Sequence, residues 1–415
     1  MEEQAAYVRR LADPVLDRYV SAFSALLITG PRATGKTTTA LRHARARVRL
    51  DSEAEGFAFR ADPDATLRAF PEPVVLDEWQ AVPGVLGAVK RAVDDDPRPG
   101  RFILTGSVRA DLDHETWPGT GRLVRVPMYG LTVRELKGTL QGPTFVEKLA
   151  EGDLDRFALP GDAPDLRGYV ALALQGGFPD AALRPDAELR QAWLDSYLDQ
   201  LLTRDAEGIG HIRDPVRLRR YFEALALHSA GLPVAASLYD GAGVDRKTAT
   251  SFDRLLANLL VVEMLPAWTN SRLQRLVKTA KRYLVDPSLV GSALGLDELA
   301  VLRDGGVLGR LLDTFVASQI RPELALRPRR PRLYHLREKE GRREIDMLAE
   351  LAAGDVVAIE VKATAAPRPD DARHLSWLRD RLEDRFLAGV VLHTGPRVYR
   401  LAEKVFALPI CAIWG

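Results

Sequence analysis

Leu26-Leu27-Ile28-Thr29-Gly30-Pro31-Arg32-Ala33-Thr34-Gly35-Lys36-Thr37-Thr38 is a short apolar run followed by the pattern G-x-x-x-x-G-K-T and a helix-forming stretch. The run reads as a buried strand, and the turn into a helix is the context in which this pattern carries chemistry. Backbone N–H groups of such a loop point inward around phosphates, and its glycines permit a tight turn and close approach to a ligand. Gly30, Pro31, Arg32, Ala33, Thr34, Gly35, Lys36, Thr37 and Thr38 are therefore expected to cradle the phosphates. Lys36 is expected to reach the β- and γ-phosphates, and Thr37 to ligate Mg²⁺. A glycine-rich turn that binds nothing is the alternative, and the flanking strand and helix weigh against it.

Forty-one positions after Lys36, Val74-Val75-Leu76-Asp77-Glu78 ends an apolar run with two carboxylates. Ligands of open α/β sheets lie at the C-terminal ends of strands. Asp77 is expected to hold the metal through its water shell, and Glu78 to polarise the attacking water as general base, which separates hydrolysis from mere binding. Phe102-Ile103-Leu104-Thr105-Gly106-Ser107 ends another strand in small polar residues. Ser107 is suited to sensing the γ-phosphate or the water. Arg122, before the run Leu123–Pro127, is placed like an arginine finger acting on a neighbouring subunit of a homo-oligomer, or is an ordinary surface arginine.

Between Leu26 and Met128, strands at 25–29, 48–51, 74–77, 101–105 and 123–127 alternate with helical stretches at 35–47 and 82–94. That alternation indicates crossovers and a parallel sheet, so the fold class is α/β. From Leu131 to Val290 helical periodicity dominates, clearest at 189–204 and 216–229. Strand patterns return after the proline-broken basic stretch Arg327–Arg332.

The loop, the Asp77-Glu78 strand end, the Leu-Thr-Gly-Ser strand and the turn Gly176-Gly177-Phe178-Pro179 resemble the AAA-type ATPase domain of a widespread prokaryotic family of P-loop proteins. In that family a C-terminal domain of unknown function follows the ATPase. Lys281–Asp286 and Ile359–Lys362 also fit, so the resemblance runs over almost the whole chain. It implies ATP as ligand and a parallel core with an additional strand. By analogy with related switch-type ATPases it also implies that Gly177 and Pro179 lie near the adenine. On this resemblance residues 1–130 form the ATPase core, 131–215 a helical lid, 216–300 a winged-helix-like region and 301–415 the last domain.

The helices and strand from Leu225 to Pro266 suit a winged helix. Arg246, Lys247, Thr248 and Arg254 would then face DNA, with Arg272, Arg275, Lys278, Lys281 and Arg282 on its phosphates. Otherwise the region transmits nucleotide state to a regulatory protein partner. In the last segment Glu344 and Asp346 share one strand face, and Glu360 and Lys362 share another. A carboxylate on one strand and E-x-K on the next resemble the restriction-endonuclease-like core, two carboxylates serving Mg²⁺ and a lysine the scissile phosphate or water. Asp313, on an expected helix 308–320, is the best match for the acid that this superfamily places on a preceding helix. Asp313, Asp346, Glu360 and Lys362 are thus the expected nuclease site. A surface Glu360–Lys362 pair without a catalytic task is the alternative. The basic residues Arg327, Arg329, Arg330 and Arg332 could follow a phosphate backbone or form a solvated linker.

Composition narrows the classes further. Fifty-eight Lys+Arg against 57 Asp+Glu give a net charge of +1, which argues against a basic or acidic tail protein. One cysteine, Cys411, rules out an internal disulfide and a thiolate zinc site, and suits a reducing compartment. The seven histidines show no metal-binding spacing. No stretch has the length of a membrane span, and the acidic N-terminus lacks a signal-peptide core, so a cytoplasmic protein is expected. Only ten of the basic residues are lysines, and Lys36 and Lys362 fall in the two strongest motifs.

Overall fold

The computed structural model describes residues 7–108, 120–153, 157, 159–209, 214–233, 235–269, 271, 275, 278–327, 331–338 and 341–415. Two compact units result, Met1–Leu131 with Leu256–Val261, and Thr132–Leu255 with Val262–Gly415.

In the first unit, β1 (Ala25–Thr29), β2 (Ala46–Arg49), β3 (Val74–Asp77), β4 (Phe102–Gly106) and β5 (Leu123–Pro127) form one parallel sheet in the order β2-β3-β4-β1-β5. β1, β3 and β4 are buried almost throughout, as strands covered on both faces must be, which explains their nearly unbroken apolar sequence. Ala25, Leu27, Leu76 and Leu104 pack with Val85, Ala88 and Val89 of the helix Val85–Asp95. Each such aliphatic side chain contributes about 1.5–3 kcal/mol through burial. Because β4 lies between β1 and β3, the strand carrying the loop and the strand carrying Asp77 are not neighbours.

The helix after the loop spans only Lys36–Leu41, shorter than the expected 35–47. Arg45 and Ala46 donate their N–H groups to Pro73 O at 2.7 and 3.4 Å, drawing the chain into β2 two residues before the expected strand. Pairing with a neighbouring strand overrides the local helical pattern here. Helices Glu53–Ala61 and Pro63–Arg68 fill a stretch for which the pattern suggested no element, and Asp62 caps the second by accepting from Ala65 N at 2.9 Å.

The second unit begins with helices, among them Leu166–Gln175, Ala187–Gln200, Pro215–Leu227, Ala235–Ala242 and residues 246–255 of the helix Arg246–Asn258. An antiparallel pair follows, β6 (Val262–Leu265) with β7 (Lys281–Leu284), and Gly231 bridges to Arg282. The helix Gly305–Ala325 then leads into β8 (Arg332–Glu338), β9 (Arg343–Glu350) and β10 (Val356–Val361). After the helix Arg373–Leu382 come β11 (Phe386–His393), β12 (Tyr399–Ala402) and β13 (Val405–Pro409). The six strands have the order β12-β13-β11-β10-β9-β8. β8, β9 and β10 are antiparallel neighbours, whereas β11 is parallel to β10 and to β13. One face of this sheet, with Leu336, Leu348, Ala358 and Val391, packs on Leu375 and Leu378. No helix among the described residues is long and apolar enough to cross a membrane.

A buried ion pair ties the start of the second unit to its long helix. Arg134 Nη1 lies 2.5 Å from Glu323 Oε1, and the other Glu323 oxygen accepts from Phe145 N at 3.0 Å. Arg134 also donates to Thr139 O and Gln141 O at 2.7 and 2.9 Å, so every partner is matched. Removing one member leaves a buried guanidinium uncompensated. Glu323→Ala is expected to lower unfolding free energy by about 3–5 kcal/mol in urea titration.

Candidate functional site

The loop after β1 is shaped by close approach. A Cβ on Gly30 would lie 1.9 Å from Met128 O, so only glycine fits there. Gly35 has φ 86°, and Ala33 is also left-handed at φ 59°, a conformation costly for a residue with a Cβ. Thr34 Oγ1 donates to Pro31 O at 2.9 Å, and Arg10 braces the loop from outside it. The Arg10 guanidinium donates to Thr34 O at 2.8 Å and to Tyr129 O at 2.7 Å. Arg10 gave no sequence signal, since it lies outside any motif.

Lys36 is 4% exposed, and its Nζ donates to Pro31 O at 2.6 Å. Burial pulls it down to about 8; Glu78 and Asp77 oppose the shift, and Arg32 adds to it. Arg32 and Thr38 are exposed at the loop's rim.

Asp77, at the end of β3, is 3% exposed and accepts three side-chain hydrogen bonds. Thr37 Oγ1 donates to its Oδ1 at 2.7 Å, Thr105 Oγ1 donates to the same oxygen, and Arg47 Nη2 lies 2.6 Å from Oδ2. The insertion of β4 puts Thr105 beside Asp77. Glu78 adopts φ 55° and ψ 52°, left-handed, and its N–H donates to Thr105 Oγ1 at 3.2 Å. Its Oε2 accepts from Ser107 Oγ at 3.2 Å and from Gln80 Nε2. Lys36, Thr37, Asp77, Glu78 and Ser107 thus form one constellation, to which Arg47, Gln80 and Thr105 are additions. Thr37 and Asp77 present hard oxygen donors side by side, a donor set suited to Mg²⁺ with water in its other positions. Arg122 Nε lies 2.7 Å from Asp94 Oδ1, an exposed pair.

In the second unit the Gly177 amide, expected beside adenine, donates to the buried Asp286 Oδ2 at 2.7 Å. A Cβ on Gly176, which has φ 67°, would meet Asp286 Oδ1 at 2.3 Å. Pro179 opens the short helix Pro179–Ala182. Within its unit, this turn is therefore a docking point for Asp286.

Asp313 and Asp346 meet a residue that motif reading assigned elsewhere, while Glu360 lies within the field of Asp346 and pairs with Lys362. Lys281, expected on a DNA-facing surface, is 1% exposed. Its Nζ lies 3.1 Å from Asp346 Oδ1, 3.3 Å from Glu344 Oε1 and 3.8 Å from Asp313 Oδ2. Burial opposes its charge, yet Asp346, Tyr283, Asp313 and Glu344 together hold the ammonium well above the usual lysine value. Burial, then Asp346, pushes both Asp313 and Glu360 up. Lys362 Nζ lies 2.7 Å from Glu360 Oε1 and lines a cavity of 500 Å³ with Thr364, Arg368 and Asp371. Among the described residues no group of three or more His, Cys, Asp or Glu is arranged to hold a metal ion. At the expected Mg²⁺ site of Asp313, Asp346 and Glu360, the Lys281 ammonium lies against Asp346 and Asp313. A larger cavity of 980 Å³ among helices of the same unit, lined by Gln175, Arg190, Asp195 and Arg219, includes none of these residues.

The expected DNA-facing cations are also fewer than the sequence suggests. Arg275 makes a two-bond pair with Glu350 at 2.7 and 2.9 Å, and Arg282 pairs with Asp253 at 2.8 Å. Arg327 bonds Glu147. Arg246, Lys247, Arg254, Lys278 and Arg332 are exposed, and Thr248 partly so. Arg272, Arg329, Arg330, His114 and His211 lie outside the described residues.

Residues 22–137 match the model of an AAA domain. Residues 166–300 and 308–413 match two domains of unknown function, DUF8612 and DUF4143. Uncharacterized proteins of Mycobacterium bovis and Mycobacterium tuberculosis are each 28% identical to this chain over 406 residues, 97% of this chain and 83% of theirs. A Walker-type ATPase of Pyrococcus abyssi is similar with a TM-score of 0.41 at 13% identity, over 71% of this chain and 97% of that one.

Bound phosphate would raise the Lys36 pKa from about 8 by supplying the opposite charge. Near pH 8 the free lysine is partly neutral, so ADP binding is expected to take up roughly half a proton there and less at lower pH, where the lysine is already charged. Calorimetry in two buffers of different ionisation enthalpy measures this uptake; proton release at pH 8 would contradict it.

Proposed function

We propose that this protein binds ATP with Mg²⁺ on the loop Gly30–Thr38 and hydrolyses it, and that the C-terminal unit acts on or near DNA. The observation carrying the first part is the shared carboxylate of Asp77, which gathers Thr37 and Thr105 beside a Glu78 held by Ser107. Magnesium held by Thr37 and Asp77 would neutralise charge on the β- and γ-phosphate oxygens. Lys36 binds those phosphates, and the inward amides of the loop orient them. Glu78 accepts the proton of the attacking water. Ser107 and Gln80 aim that carboxylate, while Thr105 couples its backbone to Asp77. Arg122 could act on a neighbouring subunit of a homo-oligomer after leaving Asp94.

Two features support a nuclease-like C-terminal fold: the succession helix, β8-β9-β10, helix, parallel β11, and the gathering of Asp346, Glu360 and Lys362 on it. Exposed Arg246, Lys247 and Arg254 support contact with phosphates. A second reading is an ATP-controlled switch for a regulatory protein partner, with a C-terminal binding module that does not cut. The internal pairing of Arg275, Lys281 and Arg282 favours it, because these cations are not offered to DNA.

Phosphate-release kinetics test the ATPase. Glu78→Gln is expected to lower turnover by about 10²–10⁴-fold while retaining nucleotide binding, and Lys36→Ala to lose binding; turnover unchanged in both would refute the proposal. For the C-terminal unit, single-stranded, branched and supercoiled DNA are incubated with the protein and Mg²⁺ or Mn²⁺. Cleavage lost in Asp346→Asn and Lys362→Ala supports a nuclease, and neither cleavage nor binding supports the switch.

A further inference from the structure

The C-terminal carboxylates surround a side chain. Lys281 comes from β7, outside the six-stranded sheet, and its ammonium reaches Asp346 and Glu344 of β9 and Asp313 of the helix Gly305–Ala325. Tyr283, two residues along β7, donates its hydroxyl to Asp313 Oδ1 at 3.1 Å. The second oxygen of Asp346 accepts from Val361 N at 3.0 Å. Asp313 and Asp346 are therefore engaged at both oxygens.

Glu360 differs from them. It is 8% exposed; its Oε1 pairs with Lys362, and its buried Oε2 has no hydrogen-bond partner. A buried carboxylate oxygen left without a donor is costly and marks a position where a cation or donor fits. Magnesium requires oxygen ligands at about 2.0–2.1 Å in octahedral geometry. An ammonium 3.1 Å from Asp346 Oδ1 takes both the space and the charge that such an ion needs.

We propose that Lys281 is the resident cation of this site and takes the place of a divalent metal, so that the native C-terminal unit holds no divalent ion and removal of the ammonium opens a site for one at Asp346 and Glu360. The proposal rests on the nuclease-like reading of this unit and adds that its carboxylates are neutralised from within. A lysine in this role supplies one positive charge where a divalent ion would supply two, and it cannot exchange with solvent ions. Lys281 is thus a specificity-determining residue that excludes metal.

The test uses the full chain without nucleotide and reads free Mn²⁺ by electron paramagnetic resonance. The native protein is expected to bind no Mn²⁺ that depends on Asp346. Lys281→Ala is expected to gain a Mn²⁺ and to lose it again in Lys281→Ala/Asp346→Asn. Lys281→Gln, closer in volume, provides a second variant, and melting temperature with and without Mn²⁺ is followed for each. Stabilisation of either variant by Mn²⁺ through Asp346 supports the proposal. Native binding that disappears in Asp346→Asn overturns it while leaving a metal-dependent nuclease intact. Folded variants that bind no Mn²⁺ overturn both the proposal and the metal-site reading beneath it. Failure of both variants to fold even with Mn²⁺ also overturns it, since the site then cannot exchange one cation for another.

Discussion

A carboxylate removed from water must find its full set of donors, and Asp77 shows how much structure this demand organises. Its two oxygens draw in a hydroxyl from the phosphate loop, a hydroxyl from β4 and a guanidinium from β2. Three segments far apart in sequence are thereby registered to one another at the C-terminal edge of the sheet. Glu78 follows directly, and its left-handed backbone turns its carboxylate toward Ser107 and Gln80. Strain at such a position costs about 1–3 kcal/mol and persists only where the surroundings over-determine it. The hydrogen bond from Glu78 N to Thr105 is one such restraint.

The C-terminal cluster answers the same physical demand in another way. Carboxylates from a helix and two strands are neutralised there by Lys281 and Lys362, with Tyr283 and Val361 N filling remaining acceptors. At the first site acidic oxygens meet hydroxyls that a metal could share. At the second they meet ammonium groups, and the chemistry available differs although the residue types expected for each were similar.

Much of the constellation around Asp77 was legible because its residues are contiguous in sequence. The loop Gly30–Thr38 and the strand end Asp77-Glu78 each carry their signal in a few adjacent residues, and the apolar runs before them mark the strands. Arg10, Arg47 and Gln80 were not legible, since a single polar residue without spacing looks like any surface residue. The basic stretch around Arg275–Arg282 misled for a related reason. Charge patterns show that cations are present, and only packing shows that Arg275, Lys281 and Arg282 meet internal carboxylates. The scarcity of lysine pointed to Lys36 and Lys362, and Lys281 belongs with them.

Strand periodicity, the phosphate loop and the paired carboxylates are local properties, set by side-chain alternation and backbone conformation over a few residues, and these the chain declares in its order of residues. The order β2-β3-β4-β1-β5, which brings Thr105 to Asp77, and the passage of Lys281 into the carboxylate cluster are set only in three dimensions. They depend on which buried charge meets which partner across separations of 28 to 65 residues. That pairing is fixed by desolvation and packing of the whole unit, and no local pattern encodes it.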